Sequence, residues 1–119
     1  MSQSNEERSA SAELVDYYRR RASEYEAIYA WPERQADLAI LRKKIPDRLR
    51  GARVLEIACG TGYWTQLVAA VASEVVATDL AAEPLAIARS KAYPKDPSFS
   101  HADAYALPEA LGRFDGALA

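Results

Sequence analysis

Apolar and aromatic side chains recur at steps of three and four in the N-terminal part of the chain, which predicts helices. The first helix is predicted from an N-cap at Ser11 to Tyr29, and one of its faces is rich in tyrosine. A Trp-Pro pair ends it, and a second helix is predicted from Pro32 to about Lys44. Residues 1–11 are polar without periodicity, so they are predicted to be a disordered leader.

From residue 51 onward, short apolar runs alternate with helical patterns, which is typical of a parallel sheet covered by helices. Strands are predicted over 53–58, 74–79 and 98–101, helices over 64–72 and 83–91, and the opening of a fourth strand over 114–119. The predicted fold class is therefore α/β: a Rossmann-like, doubly wound parallel sheet, truncated after about four strands and preceded by two helices. This divides the chain into a leader (1–11), N-terminal helices (12–50) and an incomplete half-domain (51–119).

Composition indicates which partners, compartment and metal content to expect. The 119 residues include 15 basic and 17 acidic side chains, so a net charge of −2 gives no general attraction to nucleic acid or anionic membranes. A single cysteine cannot form an internal disulfide, which indicates a reducing, cytoplasmic compartment. Cys59 and the lone His101 give no metal-ligand spacing, so no metal is expected. No apolar stretch approaches the roughly 18 residues of a membrane span.

The most informative segment is an apolar run that leads into a glycine turn, Val54 to Thr65. Its Gly60-Thr61-Gly62 sequence lets the backbone reverse tightly at the end of a strand and lets a ligand approach. A dinucleotide fingerprint needs a third glycine where this chain has Thr65, and no phosphate-binding loop sequence occurs. Acidic residues before the turn, Glu56, and at the end of the next strand, Asp79, suit a ligand that has a ribose and no diphosphate.

These segments together resemble the first half of a class I S-adenosylmethionine-dependent methyltransferase. Val54 to Gly62 resembles the first motif of that family, with Ala58 in place of its first glycine. The run from Val75 to Leu80 is similar to its second strand with the ribose-binding acid. Asp103-Ala104 resembles the adenine-binding pair, and Phe114-Asp115 resembles the start of the fourth strand. The resemblance implies S-adenosylmethionine as the cofactor and methyl transfer as the reaction.

The resemblance also implies a role for each matching residue. Asp79 would accept hydrogen bonds from the ribose hydroxyls, and Asp103 would bind the adenine together with the amide of the next residue. Glu56 would reach the methionine ammonium, and the helices over 12–50 would form a lid on the cofactor. The full set of implied cofactor-binding residues is Tyr18, Arg21, Glu56, Ala58, Gly60, Gly62, Asp79, Leu80, Asp103 and Ala104, with Tyr105 opposite Leu80 across the base.

Each candidate also has a purely structural interpretation. Asp79 and Asp103 are typical of capping or turn acids at strand ends, and Glu56 of a brace beneath the loop. The tyrosine-rich helix face is equally typical of a packed core. Cys59 is interpreted as a small buried residue and His101 as a surface or packing residue, without chemistry. No catalytic residue is identified, because in this family the acceptor pocket comes mostly from the fourth strand onward.

Three functions stay open at this point. The leading hypothesis is an S-adenosylmethionine-dependent methyltransferase, or its donor-binding fragment, with a small-molecule acceptor and neither a nucleic-acid nor a membrane partner. The alternatives are a non-catalytic S-adenosylmethionine-binding module and, less favoured, an NAD-dependent oxidoreductase. The apolar fourth strand would be an unprotected edge. We therefore expect either a fragment of a larger enzyme or a homodimer that covers this strand.

Overall fold

The computed structural model describes residues 5–119, with side chains from residue 11 onward. The helices over this range are α1 (Asn5–Tyr25), α2 (Gln35–Leu49), α3 (Tyr63–Ala69) and α4 (Ala82–Ser90). The strands are β1 (Arg53–Glu56), β2 (Glu74–Asp79), β3 (Ser98–His101) and β4 (Gly116–Leu118). Short 3₁₀ turns span Ala27–Ala30, Pro32–Arg34 and Glu109–Leu111.

Within the described residues, the four strands form one parallel sheet in the order β3-β2-β1-β4. The chain moves outward from β1 to β3 and then crosses back to place β4 on the other side of β1. A sheet that reverses its strand order in this way leaves a crevice at the carboxyl ends of its central strands. The predicted α/β class, with a parallel sheet and two preceding helices, is confirmed.

The core lies against the two central strands. In β1 the residues Val54, Leu55 and Glu56 are all buried, and β2 is buried over 75–78. Continuous apolar, β-branched runs of this kind suit strands that are covered on both faces. The helices complete the core with Val68 from α3 and with Leu85 and Ile87 from α4.

The N-terminal helix begins earlier than the sequence pattern predicts. Helix α1 is already formed at Asn5, inside the segment that was predicted as a disordered leader; residues 1–4 lie outside the described residues. The segment contains Glu, Arg and Ala, whose high helix propensity favours continuation toward the N-terminus even without an apolar face. At the other end α1 stops at Tyr25, and the chain continues as a 3₁₀ turn to Ala30.

The second helix continues past its predicted end at Lys44. It runs to Leu49 with Pro46 in its interior. Proline removes one backbone hydrogen bond, but Pro46 and Leu38 are buried side chains of this helix, and their packing offsets that loss. The first strand is two residues shorter than predicted. It ends at Glu56, because the backbone turns into the left-handed region at Ala58.

Arg53 ties the start of β1 to the segment before β4. Its Nε donates to Glu74 at 2.8 Å, and one terminal nitrogen donates to the carbonyl oxygen of Leu111 at 2.8 Å. The guanidinium carbon lies 4.3 Å from the ring centre of Phe114, and the backbone N–H donates to the Asp115 carboxylate at 2.8 Å. One long side chain therefore joins β1, β2 and the approach to β4.

We predict that Arg53→Met lowers the free energy of unfolding by about 1–3 kcal/mol, because it removes several hydrogen bonds, including those to backbone carbonyls. Glu74→Gln removes only the charge of a half-exposed ion pair, and the loss should stay below about 1 kcal/mol. Urea denaturation of both variants tests this difference. Equal losses would show that the bonds of Arg53 to the β4 approach contribute nothing.

Candidate functional site

A cavity of about 200 Å³ lies at the carboxyl edge of the sheet, around the ends of β1, β2 and β3. Six of the residues that the sequence analysis assigned to the site line it: Ala58, Asp79, Leu80, Asp103, Ala104 and Tyr105. They come from three segments that are far apart in the chain. The parallel sheet therefore brings together the two acids and their neighbours at its carboxyl edge, beside the ends of β1, β2 and β3.

Asp79 holds the glycine turn in place. One carboxylate oxygen accepts a hydrogen bond from the Gly60 N–H, and the other accepts one from the Ala81 N–H, both at 2.8 Å. A carboxylate offers about four acceptor positions, so two backbone donors leave capacity for further donors. Asp79 therefore has the structural role that the sequence analysis left open, and its chemistry still suits ribose hydroxyls.

The two glycines of the turn have different surroundings. Gly60 has φ +57°, and a Cβ built there meets nothing within 4 Å. Gly62 has φ +83°, and a Cβ there would lie 2.5 Å from the Tyr93 hydroxyl and 3.2 Å from the Ala88 Cβ. Gly60 therefore borders open space into which a ligand can fit. Gly62 allows the turn to pack against α4 and the segment after it, and ligand contact at Gly62 stays a prediction.

Ala58 occupies a conformation that usually belongs to glycine. Its φ is +55°, and among the described residues it is the one non-glycine residue with a positive φ. The left-handed region costs an L-residue roughly 1–2 kcal/mol. Replacement of the family's first glycine by alanine therefore has a conformational cost, although the methyl group itself is exposed.

Glu56 is a buried acid beneath the turn. It is 3% exposed, and its carboxylate accepts a hydrogen bond from the hydroxyl of the fully buried Thr65. Burial raises the pKa of Glu56 to about 7, while the Thr65 hydrogen bond acts in the opposite direction. A glycine at position 65 would leave this buried acid without its hydroxyl partner. The contact of Glu56 with a methionine ammonium stays a prediction.

Asp103 begins a tight turn at the far side of the cavity. Its carboxylate accepts a hydrogen bond from the Tyr105 N–H at 2.9 Å, and its carbonyl oxygen accepts one from Ala106 at 3.0 Å. The side chains of Tyr105 and Leu80 are 99% and 63% exposed. Large apolar side chains so open to water leave apolar surface available to a planar ligand. Their sandwich around a base stays a prediction.

The residues predicted from the first helix lie away from this cavity. The Nε and a terminal nitrogen of Arg21 donate to Glu83 at 2.8 and 2.6 Å, and the Tyr25 hydroxyl donates to the same carboxylate at 3.2 Å. The hydrogen bond from Arg21 lowers the pKa of Glu83. Tyr18 lines a separate space of about 420 Å³ beside Lys91. Arg21 thus joins α1 to α4, and the binding roles of Arg21 and Tyr18 stay predictions.

Cys59 and His101 both fit their structural interpretations. Cys59 is buried, and burial together with the charges of Glu56 and Asp79 raises the pKa of its thiol to about 12. The thiol is therefore protonated at neutral pH and is not a nucleophile. His101 is exposed, and its Nε2 lies 2.6 Å from the Leu80 carbonyl oxygen, which links the ends of β3 and β2.

The sequence analysis missed a polar group above the turn. Glu26 accepts a hydrogen bond from the Thr61 hydroxyl at 3.1 Å and forms an ion pair with Lys91. These residues are 35 and 65 positions away from Glu26 in the chain, so no local spacing could have indicated the contact. Only the docking of α1 on α4 brings them together.

Among residues 11–119, whose side chains the structure describes, there is no group of three or more His, Cys, Asp or Glu residues placed to hold a metal ion. None of the helices described within residues 5–119 is long and apolar enough to cross a membrane.

We predict a specific pH dependence for Glu56. Because its folded-state pKa is raised, its contribution to stability is fully present below about pH 4.5 and is lost as the pH rises to about 7. A shift of this size corresponds to about 3 kcal/mol. Glu56→Gln removes the titrating group, so its unfolding free energy relative to the unsubstituted protein should improve by that amount across this pH range. Urea denaturation from pH 4.5 to 8 measures it.

The control for this experiment is Glu13→Gln, which removes an exposed carboxylate from α1. Its stability relative to the unsubstituted protein should stay constant over the same pH range. A constant difference for Glu56→Gln as well would contradict the raised pKa.

We predict that Gly62→Ala destabilises the fold by about 3 kcal/mol, from left-handed strain and from the clash with Tyr93. Adding Tyr93→Phe removes the hydroxyl that the new methyl group would meet, so the double variant should recover part of the loss. Thermal unfolding of the single and double variants provides the measurement. Purely additive losses would mean that the Tyr93 hydroxyl does not limit this position.

Comparison with known proteins bears on this site directly. The family model described as a methyltransferase domain matches residues 54–119, more than half of the chain. The match begins in β1 and includes the glycine turn, Asp79 and Asp103. It therefore covers the segments that line the strand-end cavity.

Individual relatives agree with the family match. The chain is 38% identical over 80 residues to a magnesium-protoporphyrin O-methyltransferase from Rhodobacter capsulatus, covering 65% of this chain and 35% of the relative. It is 40% identical over 89 residues to a demethylmenaquinone methyltransferase from Thermus thermophilus, covering 71% and 37%. The matched region thus spans about a third of each relative's length.

A solved structure of a complex of DhpI with SAM and HEP is also similar. The TM-score is 0.55 and the identity is 38%, with 76% of this chain and 41% of that chain covered. The resemblance inferred from the four sequence motifs is confirmed. This chain belongs to the methyltransferase-domain family, of the class I S-adenosylmethionine-dependent type.

Proposed function

We propose that this chain binds S-adenosylmethionine at the carboxyl edge of its sheet and serves in methyl transfer to a small-molecule acceptor. The observation that carries the proposal is the pairing of Asp79 with the open face of Gly60. The names of two similar proteins, which refer to magnesium-protoporphyrin and demethylmenaquinone, favour a small acceptor. The near-neutral charge of the chain supports the same choice over nucleic acid.

The residues around the cavity fit the parts of this cofactor. Asp79 has acceptor capacity beyond its two backbone bonds, which suits the two hydroxyls of a ribose. Asp103 and the exposed side chains of Leu80 and Tyr105 suit an adenine, through hydrogen bonding and apolar contact. Gly60 offers the unobstructed backbone beside which the methionine part would lie. The donor site therefore consists of rigid strand ends and one fixed turn.

The proposed reaction places few demands on protein side chains. When bound, the cofactor supplies a methyl group on a sulfonium, which is already activated toward attack by a nucleophile. The chain then contributes mainly orientation, by holding the donor at the sheet edge with its methyl group exposed to the acceptor. A general base is needed only where the acceptor must lose a proton, and we assign no residue to that role.

Thr65 argues against the alternative of a nicotinamide dinucleotide. The dinucleotide fingerprint requires glycine at this position, and here Thr65 is fully buried and donates to the buried Glu56. A non-catalytic S-adenosylmethionine-binding module would share every feature of the donor site. A methyltransferase and a non-catalytic binding module differ only in methyl transfer to an acceptor, and binding experiments do not measure that transfer.

Isothermal titration calorimetry with S-adenosylmethionine and with NAD tests the proposal. We expect binding of S-adenosylmethionine and a weaker or absent response to NAD. Asp79→Asn should weaken binding by about 1.5–3 kcal/mol, because it removes the charge available to the ribose hydroxyls and one of the two acceptor oxygens that hold the backbone at Gly60 and Ala81. Asp96→Asn is the matched control, because Asp96 is exposed and lies outside the cavity. A preference for NAD, or unchanged affinity in Asp79→Asn, would overturn the proposed site.

A second prediction uses the open space at Gly60. Gly60→Ala places a methyl group where the donor would lie, so we expect at least a tenfold loss of affinity, equivalent to about 1.4 kcal/mol. Gly51→Ala is the matched control, since Gly51 also has a positive φ (+73°) and nothing within 4 Å of a built Cβ, but Gly51 precedes β1, whereas Gly60 follows β1 and bonds to the cavity residue Asp79. Both variants should lose similar stability in thermal unfolding. Equal donor affinities would contradict a ligand beside Gly60.

A further inference from the structure

The side chain of Glu26 links the N-terminal helices to the glycine turn. This residue directly follows α1, and Lys91 directly follows α4. Glu26 Oε1 accepts a hydrogen bond from the Thr61 hydroxyl at 3.1 Å and also pairs with the Lys91 ammonium. The side chains of Lys91 and Glu26 are 13% and 20% exposed, and Thr61 is 7% exposed. The three groups are therefore largely shielded from water.

Each residue of the turn is held by a different part of the structure. Gly60 donates its N–H to Asp79 at the end of β2. Gly62 packs against Ala88 of α4 and against Tyr93. Thr61, between them, is bonded through its hydroxyl to the N-terminal segment. The position of the turn therefore depends on the docking of the N-terminal helices as well as on the sheet.

Because these three side chains are largely buried, the contact between them depends on the presence of all three. A carboxylate removed from water is stabilised only while its charged and hydrogen-bonded partners are in place. Lys91 supplies the opposite charge and Thr61 supplies a hydroxyl donor to the same oxygen. If α1 moved away from α4, Glu26 would leave both partners together, and the Thr61 hydroxyl would lose its acceptor. The turn and the N-terminal segment are thereby coupled.

We propose that Glu26 is a positioning residue: it couples the closure of the N-terminal helices to the shape of the glycine turn and so sets donor affinity. Glu26 need not touch the donor for this role. The inference rests on the proposed function for the donor site, and extends it to regulation of that site by the N-terminal segment. Arg21 provides a contrast, because its bonds to Glu83 join α1 to α4 without reaching the turn.

The first test measures the turn itself, without any ligand. The amides of Gly60 and Gly62 have acceptors in Asp79 and in the Cys59 carbonyl oxygen, so their hydrogen exchange reports opening of the turn. We expect Glu26→Ala and Thr61→Val to speed exchange at both amides about 3–10-fold. Asp16→Asn is the control: it removes an exposed acid of α1 that pairs with Arg20. Exchange that is unchanged in Glu26→Ala would overturn the proposal.

The second test measures affinity for S-adenosylmethionine by calorimetry. Glu26→Ala and Thr61→Val should each weaken binding about 3–10-fold, and the double variant should lose no more than the worse single one, because both remove the same link. Thr61→Ser keeps the hydroxyl and should restore affinity. Asp16→Asn, which leaves the link between Glu26 and Thr61 intact, should keep the affinity of the unsubstituted protein. Independent, additive losses would contradict the coupling.

The two tests separate failure of this inference from failure of the proposed function. If the unsubstituted chain does not bind S-adenosylmethionine, the proposed function fails, and the exchange rates still decide whether Glu26 positions the turn. If the donor binds and the exchange rates of Gly60 and Gly62 do not respond to Glu26→Ala, the proposed function stands and the positioning role is wrong.

Discussion

The carboxylate of Asp79 is the interaction on which the carboxyl edge of the sheet depends. It accepts hydrogen bonds from Gly60, in the turn after β1, and from Ala81, at the entry to α4. One side chain thus binds the start of both crossover connections, β1-α3-β2 and β2-α4-β3. Without that acceptor, the turn would lose the bond that fixes it over β2, and the start of α4 would lose its link to the strand before it.

The register of the sheet is what places Asp79 at this level. The last residue of β1, Glu56, pairs with Ala77, so β2 extends two residues beyond its neighbour. The extension carries Asp79 up beside the turn. The Cys59 N–H donates to the Thr78 carbonyl oxygen at 2.9 Å and holds the turn against this extension. A shift of one residue would direct the carboxylate to the opposite face of the sheet.

Local sequence patterns correctly predicted the elements whose boundaries are set by residues within or next to the element itself. The bounds of β2 and β3 agree with the prediction, because each is a short run flanked by clear turn residues. The second helix did not end at Lys44, because burial of Pro46 outweighs its local effect. The predicted leader was wrong from Asn5 onward, since a polar segment without periodicity can still be helical. A periodic apolar pattern indicates that a helix has a buried face, and a helix can form without such a face.

The sequence alone determined the order of strands and helices, the glycine turn and the two acids at strand ends, and these sufficed to indicate the family. They are short, contiguous patterns whose chemistry does not depend on distant residues. The tertiary structure decided how those residues are used. Gly62 packs against α4, whereas Gly60 borders open space. Arg21 donates hydrogen bonds to Glu83, and Glu26 accepts one from Thr61. Such pairings join residues that are far apart in the chain, so only the packing of whole elements could fix them.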